Sequence, residues 1–248
     1  MNSHRPLLRA LTALSLSCLI GAANPKAALE AHIKSLKPTQ VQSFNESMAE
    51  ARRLIMEKRV FEAMEPLQVA TDIIPAHPTL VLLQANADVL LRKLDSAEER
   101  LQGLMKDYPY DSGVVFNLAE VYFIQSRWDD AITYFTKAAE IMAATQQKQL
   151  HTLTEFKIYI CHKKKGNVEV ATEYEEQFDF TSDTPAYYIS QFIKHSHAED
   201  EEEAQRWLAK AKRIFSSQEM GIWEDTLKEA GYVSTIISGG DRYFNKEQ

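Results

Sequence analysis

Sliding the chain against itself by 34 residues places Ala51 over Ala85 and Ala119, and Ala63 over Ala97 and Ala131. The same frame aligns Leu67, Leu101 and Phe135, then Ala70, Leu104 and Ala138, and then Pro75 with Pro109, where Ala143 breaks the column. One phase accounts for every column, and a fixed period in the range of 20–50 residues constrains a fold more tightly than any local propensity. Two alanine columns per unit, flanked by larger apolar residues, describe a pair of antiparallel helices. Alanine stands where two backbones approach closely, and the larger side chains fill the space beside it. Proline near the end of each unit stops the second helix, because it lacks an N–H and disfavours helix in the residue before it.

Composition agrees. Only 8 Gly and 8 Pro occur in 248 residues, too few for a β architecture that turns every ten residues. The expectation is an all-α chain. A formal charge of −7 offers no bulk attraction to nucleic acid or anionic lipid, whose capture needs clustered Lys and Arg.

These residues make the chain resemble the tetratricopeptide repeat family, whose 34-residue unit carries large apolar residues, then alanines, then proline at set places. The clearest unit is 112–145. There Leu118, Ala119, Tyr122, Ala131, Phe135 and Ala138 take signature places, with Val115 for the family's tryptophan and Ala143 for its proline. The units from 44 and 78 keep the second helix better than the first, where Ser47, Glu50, Val81 and Gln84 stand at apolar places. The resemblance implies a right-handed α-solenoid over 44–217 whose concave face holds a peptide or partner protein.

Past 145 the period slips. Ala131 to Ala171 is 40 residues and Ala171 to Ala204 is 33, yet Gly166, Phe156, Tyr159 and Phe178 still suit a hairpin. Tyr188, Phe192, Ala204, Leu208 and Ala211 read as a fifth pair. Residues 24–43 read as a helical lead-in, and 218–248 as a capping helix and tail, with Ile222, Trp223 and Leu227 on one face and Gly231 at the helix end.

In the family the groove is lined by the fifth and ninth places of each unit. The resemblance therefore assigns the partner groove to Met48, Leu82 and Phe116, edged by Arg52, Asn86 and Glu120. An apolar stripe of this kind fits an amphipathic or extended apolar segment; the competing reading is that these side chains only pack between neighbouring helices. Family members that clamp a C-terminal carboxylate use lysines and asparagines at such places. Here Asn86 alone belongs to that set, so an acidic C-terminal tail is not the expected ligand.

Arg5 and Arg9 precede an apolar stretch from Ala10 to Ile20, followed by Gly21, Ala22 and Ala23, which together read as a signal peptide over 1–23. Cleavage after Ala23 leaves 26 basic and 35 acidic residues, a charge of −9, on an exported periplasmic or envelope protein. Cys18 after Ser15, Leu16 and Ser17 only partly fits a lipoprotein signal, and lipidation there is the one route to a membrane. Cys161 is then the one thiol left, so no intrachain disulfide is expected.

Catalysis has no visible residues. Cys161 and His162 are adjacent on a helix and do not face each other, and no phosphate loop, nucleophile elbow or zinc-helix motif occurs. His195 and His197 before Glu199, Asp200, Glu201, Glu202 and Glu203 outline a metal site or enzyme centre only in composition. Acidic residues at a helix start, and Lys163, Lys164 and Lys165 at a helix end, are what the helix dipole attracts. The expected function is a non-catalytic scaffold or adaptor in the bacterial cell envelope that binds a protein or peptide and needs no cofactor. The alternatives are a lipid-anchored assembly factor for pilus, secretion or outer-membrane components, and a metal-binding protein built on His195 and His197.

Overall fold

A computed structural model describes residues 25–181 and 184–233; the amino-terminal segment with Cys18, and the tail beyond 233, lie outside the described residues. Twelve helices and no strand occur among them. A lead-in, α1 (Pro25–Ser35), precedes five hairpins: α2 (Pro38–Met56) with α3 (Val60–Ile73), α4 (Pro78–Leu90) with α5 (Leu94–Asp107), and α6 (Ser112–Ile124) with α7 (Trp128–Ala144). Then come α8 (Lys148–Lys165) with α9 (Val168–Gln177), α10 (Ala186–His197) with α11 (Glu201–Ile214), and a last helix, α12 (Ser217–Glu229).

Every alanine of the two periodic columns is fully buried: Ala51, Ala85 and Ala119 on first helices, Ala63, Ala97 and Ala131 on second helices. Leu67, Leu101, Phe135 and Tyr122 fill the space around them. Each first helix packs on its own second helix, and first helices also meet directly across hairpins, α2 on α4, α4 on α6 and α8 on α10. First helices therefore crowd together on the inside of the curve. The chain is an all-α solenoid of tetratricopeptide-type hairpins with a closing helix.

The turn within each hairpin repeats as strictly as the helices. Lys58, Arg92 and Ser126, spaced by 34, all adopt left-handed backbone with φ near 60°. The equivalent residue in the fourth hairpin is Gly166, φ 75°, where glycine takes that conformation without a Cβ clash.

The slip in period has a simple origin. Pro109 follows the end of α5 at Asp107, but Ala143 presents no such stop and α7 runs to Ala144, 17 residues against 14. Helix α8 has 18 residues against 13 in α6, while the connections on either side of α8 are each one residue shorter. Three and five gained, less two, gives the six-residue excess between Ala131 and Ala171.

Candidate partner-binding groove

The first helices α2, α4, α6 and α8 form the inner wall, and the groove residues assigned by resemblance all lie on the first three. Met48 and Phe116 are buried, 8% and 9% exposed. Leu82 and Asn86 are half-buried and Arg52 is exposed. Phe116 meets the Phe135 ring edge-on at 5.5 Å, so it joins α6 to α7. Glu120, half-buried, receives the Lys157 ammonium of α8 at 2.8 Å. Lys157 is 2% exposed and also lies 4.9 Å from the Phe123 ring centre, so the pair pins α6 to α8.

The apolar column continues into the fourth hairpin, displaced by the longer helices. Asn167 precedes α9 as Arg127 precedes α7, 40 residues earlier, and in that register Phe116 corresponds to Phe156. Phe156 is covered from inside the curve: Trp223 of α12 meets it edge-on at 4.9 Å. Helix α8 is buried on nearly every side, from Leu153 to Cys161, and α12 supplies part of that cover through Trp223.

Helix α12 turns Met220, Trp223, Leu227 and Ala230 into the core and reaches back across the solenoid to the turns of the first two hairpins. Lys58 Nζ meets Asp225 at 2.7 Å, and the Arg92 guanidinium grips Glu229 through two bonds of 2.7 and 2.9 Å. At its far end Gly231, φ 71°, lets the Tyr232 amide bond back to the Leu227 carbonyl at 2.9 Å. Tyr232 then sits 4.0 Å beneath the Lys164 ammonium, and its hydroxyl lies 3.1 Å from His197 Nε2. The closing helix thus spans the inner wall as well as the last hairpin. These links escaped the sequence reading, although Lys58 and Arg92 keep the 34-residue period and Asp225 and Glu229 share a helix face.

Between α12, the start of α8 and the end of α2 a cleft of about 700 Å³ stays open. Its apolar lining includes Met56, 72% exposed, Ile222, 47% exposed, and Leu150, with Lys58 and Asp225 at the rim.

The remaining chemical candidates are engaged elsewhere. His195 Nδ1 lies 3.6 Å from Asp200, and His197 faces Tyr232. No group of three His, Cys, Asp or Glu among the described residues is disposed to hold a metal ion. Cys161 is fully buried, and burial pushes its thiol up to about 12, away from the thiolate a nucleophile needs. No helix of the described residues is long and apolar enough to cross a membrane.

Hairpins of this length, stacked through alanine columns around an inner wall, define a tetratricopeptide-repeat protein. The chain belongs to the Iml2/Tetratricopeptide repeat protein 39 family, whose model matches residues 48–220. A comparison with curated protein sequences finds no significant match. Among solved structures the chain is similar in fold to TTC0263, a thermophilic TPR protein in Thermus thermophilus. The identity is 15% over 75% of this chain and 98% of that one, with a TM-score of 0.58. It is also similar to the apo form of the quorum sensor NprR from B. thuringiensis, at 15% identity over 83% of this chain and 62% of that one, TM-score 0.57. A structure of NprR in complex with its cognate peptide NprX matches over 83% and 64% with the same TM-score.

Proposed function

We propose that the chain is a non-catalytic scaffold of the bacterial cell envelope that holds a segment of a partner protein against its inner wall. The carrying observation is the open cleft beside α12, where Met56 and Ile222 remain exposed although both border the inner wall. Exposed apolar side chains rimmed by charge mark contact sites. A solved NprR structure contains a cognate peptide, and that supports a peptide or protein as the kind of ligand this fold accepts. The amino-terminal pattern from Arg5 to Ala23 supports export, with anchoring at Cys18 as the second form of the same reading. The first residue of the protein purified from its own cell separates the two: Asn24 for simple export, a diacylglyceryl Cys18 for a lipid anchor.

The binding test is affinity capture from envelope extract with Met56→Glu and Ile222→Glu beside the unaltered chain. Both side chains are exposed, so each substitution should leave the melting temperature within roughly 2 °C, the range of ordinary surface changes. Each should nevertheless reduce the captured partner at least about tenfold, because a charge would be desolvated in the contact. Leu82→Glu should act in the same direction. Capture unaltered by all three would remove the inner wall from the function.

A further inference from the structure

Helix α12 occupies the inner wall in the manner of a bound ligand. Met220, Trp223, Leu227 and Ala230, at intervals of three, four and three, form one buried face, and Trp223 seats on Phe156. Asp225 and Glu229, one turn apart, meet Lys58 and Arg92, which hold the same place in successive hairpins. Apolar anchors plus two carboxylates spaced to match two cations describe a recognition surface for a helix. Lys164, at the Tyr232 end, adds a third cation to the same wall in a chain whose formal charge is −7.

The helix is also a self-contained unit. Only Phe215 and Ser216 join it to α11. Its own signals close both ends: Ser216 and Glu219 form a reciprocal capping box, and Gly231 supplies the left-handed stop. The pairs to Lys58 and Arg92 involve cations 59% and 60% exposed, and such pairs contribute little each.

We infer that α12 is an internal stand-in for the partner, and that the partner segment is an amphipathic helix with an aromatic–aliphatic face and two acidic residues one turn apart, which binds by displacing α12. This takes from the groove reading above the inner wall and Met56, but not Ile222, which leaves with α12, and adds the ligand's chemistry. Because α12 is tethered by a short connection, its effective concentration is of millimolar order, so a free segment binds the unaltered chain more weakly than its intrinsic affinity.

The probe is a fluorescein-labelled peptide with the sequence of residues 216–233, followed by anisotropy on the full chain. Asp225→Lys/Glu229→Lys, which loosens the tethered helix, should bind the peptide at least about tenfold more tightly than the unaltered chain. Adding Lys58→Ala/Arg92→Ala, which removes both cations without restoring the pairs in reverse, should abolish that gain. Equal affinity of the loosened and unaltered chains, or a gain that survives loss of both cations, overturns the inference. So does dimerisation of the loosened chain by helix exchange, which would assign the wall to a second copy. Should the loosened chain lose its helical circular dichroism, hydrogen exchange on the unaltered chain decides. The α12 amides should exchange at least about tenfold faster than those of α8, and equal protection overturns the inference. Partner capture that depends on Met56 and Ile222 but is no stronger in the loosened chain leaves the groove reading standing and removes this one. Capture indifferent to Met56, Ile222 and Leu82 removes the groove reading itself.

Discussion

The salt bridge between Glu120 and Lys157 is the residue-level feature that most affects how the inner wall holds together. Lys157 stands on a helix otherwise packed with Phe156, Ile158 and Ile160, and its ammonium is shielded from water with one carboxylate 2.8 Å away. Removing that carboxylate leaves a buried cation uncompensated, so Glu120→Gln should destabilise the chain by about 3 kcal/mol, less if water follows the Glu120 side. Lys157→Met should cost far less, since its stem already lies among apolar groups, and the double variant should recover most of the loss. Chemical denaturation of the four proteins measures the cycle; simple additivity would mean that the pair does not couple α6 to α8. By spacing, Glu120 belongs to the edge of the groove, and the sequence contains nothing to show otherwise. Its partner lies 37 residues on, beyond the six-residue slip, where no column aligns.

At the scale of the elements, the alanine columns decide how close two helices come. Ala97 is fully buried where α5 packs against α4, and Leu101 lies one turn away on the same face. Ala97→Leu forces extra methylenes into that contact and should cost about 1–3 kcal/mol, a fall in melting temperature of roughly 2–12 °C for a chain of this size. An unchanged melting temperature would mean that the helices separate without penalty. The columns were legible because packing repeats wherever helix lengths repeat. The longer α7 and α8 were visible only as a net excess of six, since a missing proline removes a stop without saying how far the helix will run. The seat of α12 was hidden for another reason. Its glycine stop can be read locally and its buried face in part, since Trp223 and Leu227 are buried as expected but Ile222, expected beside them, is 47% exposed and Met220 takes its place. Which wall the helix covers depends on how the hairpins stack.

Over the whole molecule three histidines, each in a different part of the stack, are packed into surroundings that disfavour charge, and this gives stability a pH dependence of definite sign. His77, beside Phe44 at 5.1 Å, is held below its ordinary value by burial. His162, stacked on Tyr174, is lowered first by burial and then by Lys165, with Asp129 opposing. His197, at the Tyr232 anchor, is lowered by burial and by Lys163 and Lys164. In each case the native state prefers the neutral ring, whereas the unfolded chain takes up a proton near 6.5. The unfolded state therefore binds more protons on acidification, and stability that is complete above about 6.5 is lost as pH falls below it. Glu50, Glu57, Glu62 and Glu219 are held below the carboxylate range by hydrogen bonds to Arg53, Arg59, Arg59 and Ser216. Their contribution begins to fail only below about 4.5, which leaves the interval from about 6.5 to 5 to the histidines. Melting temperatures across that interval should fall by roughly a few degrees. His77→Asn should flatten part of the slope and, as an asparagine at the start of α4, add a side-chain cap. His197→Gln should flatten another part, through the contact that its ring makes with Tyr232 at the end of α12. A slope identical in both variants would show that protonation in this range reaches the fold through neither hairpin.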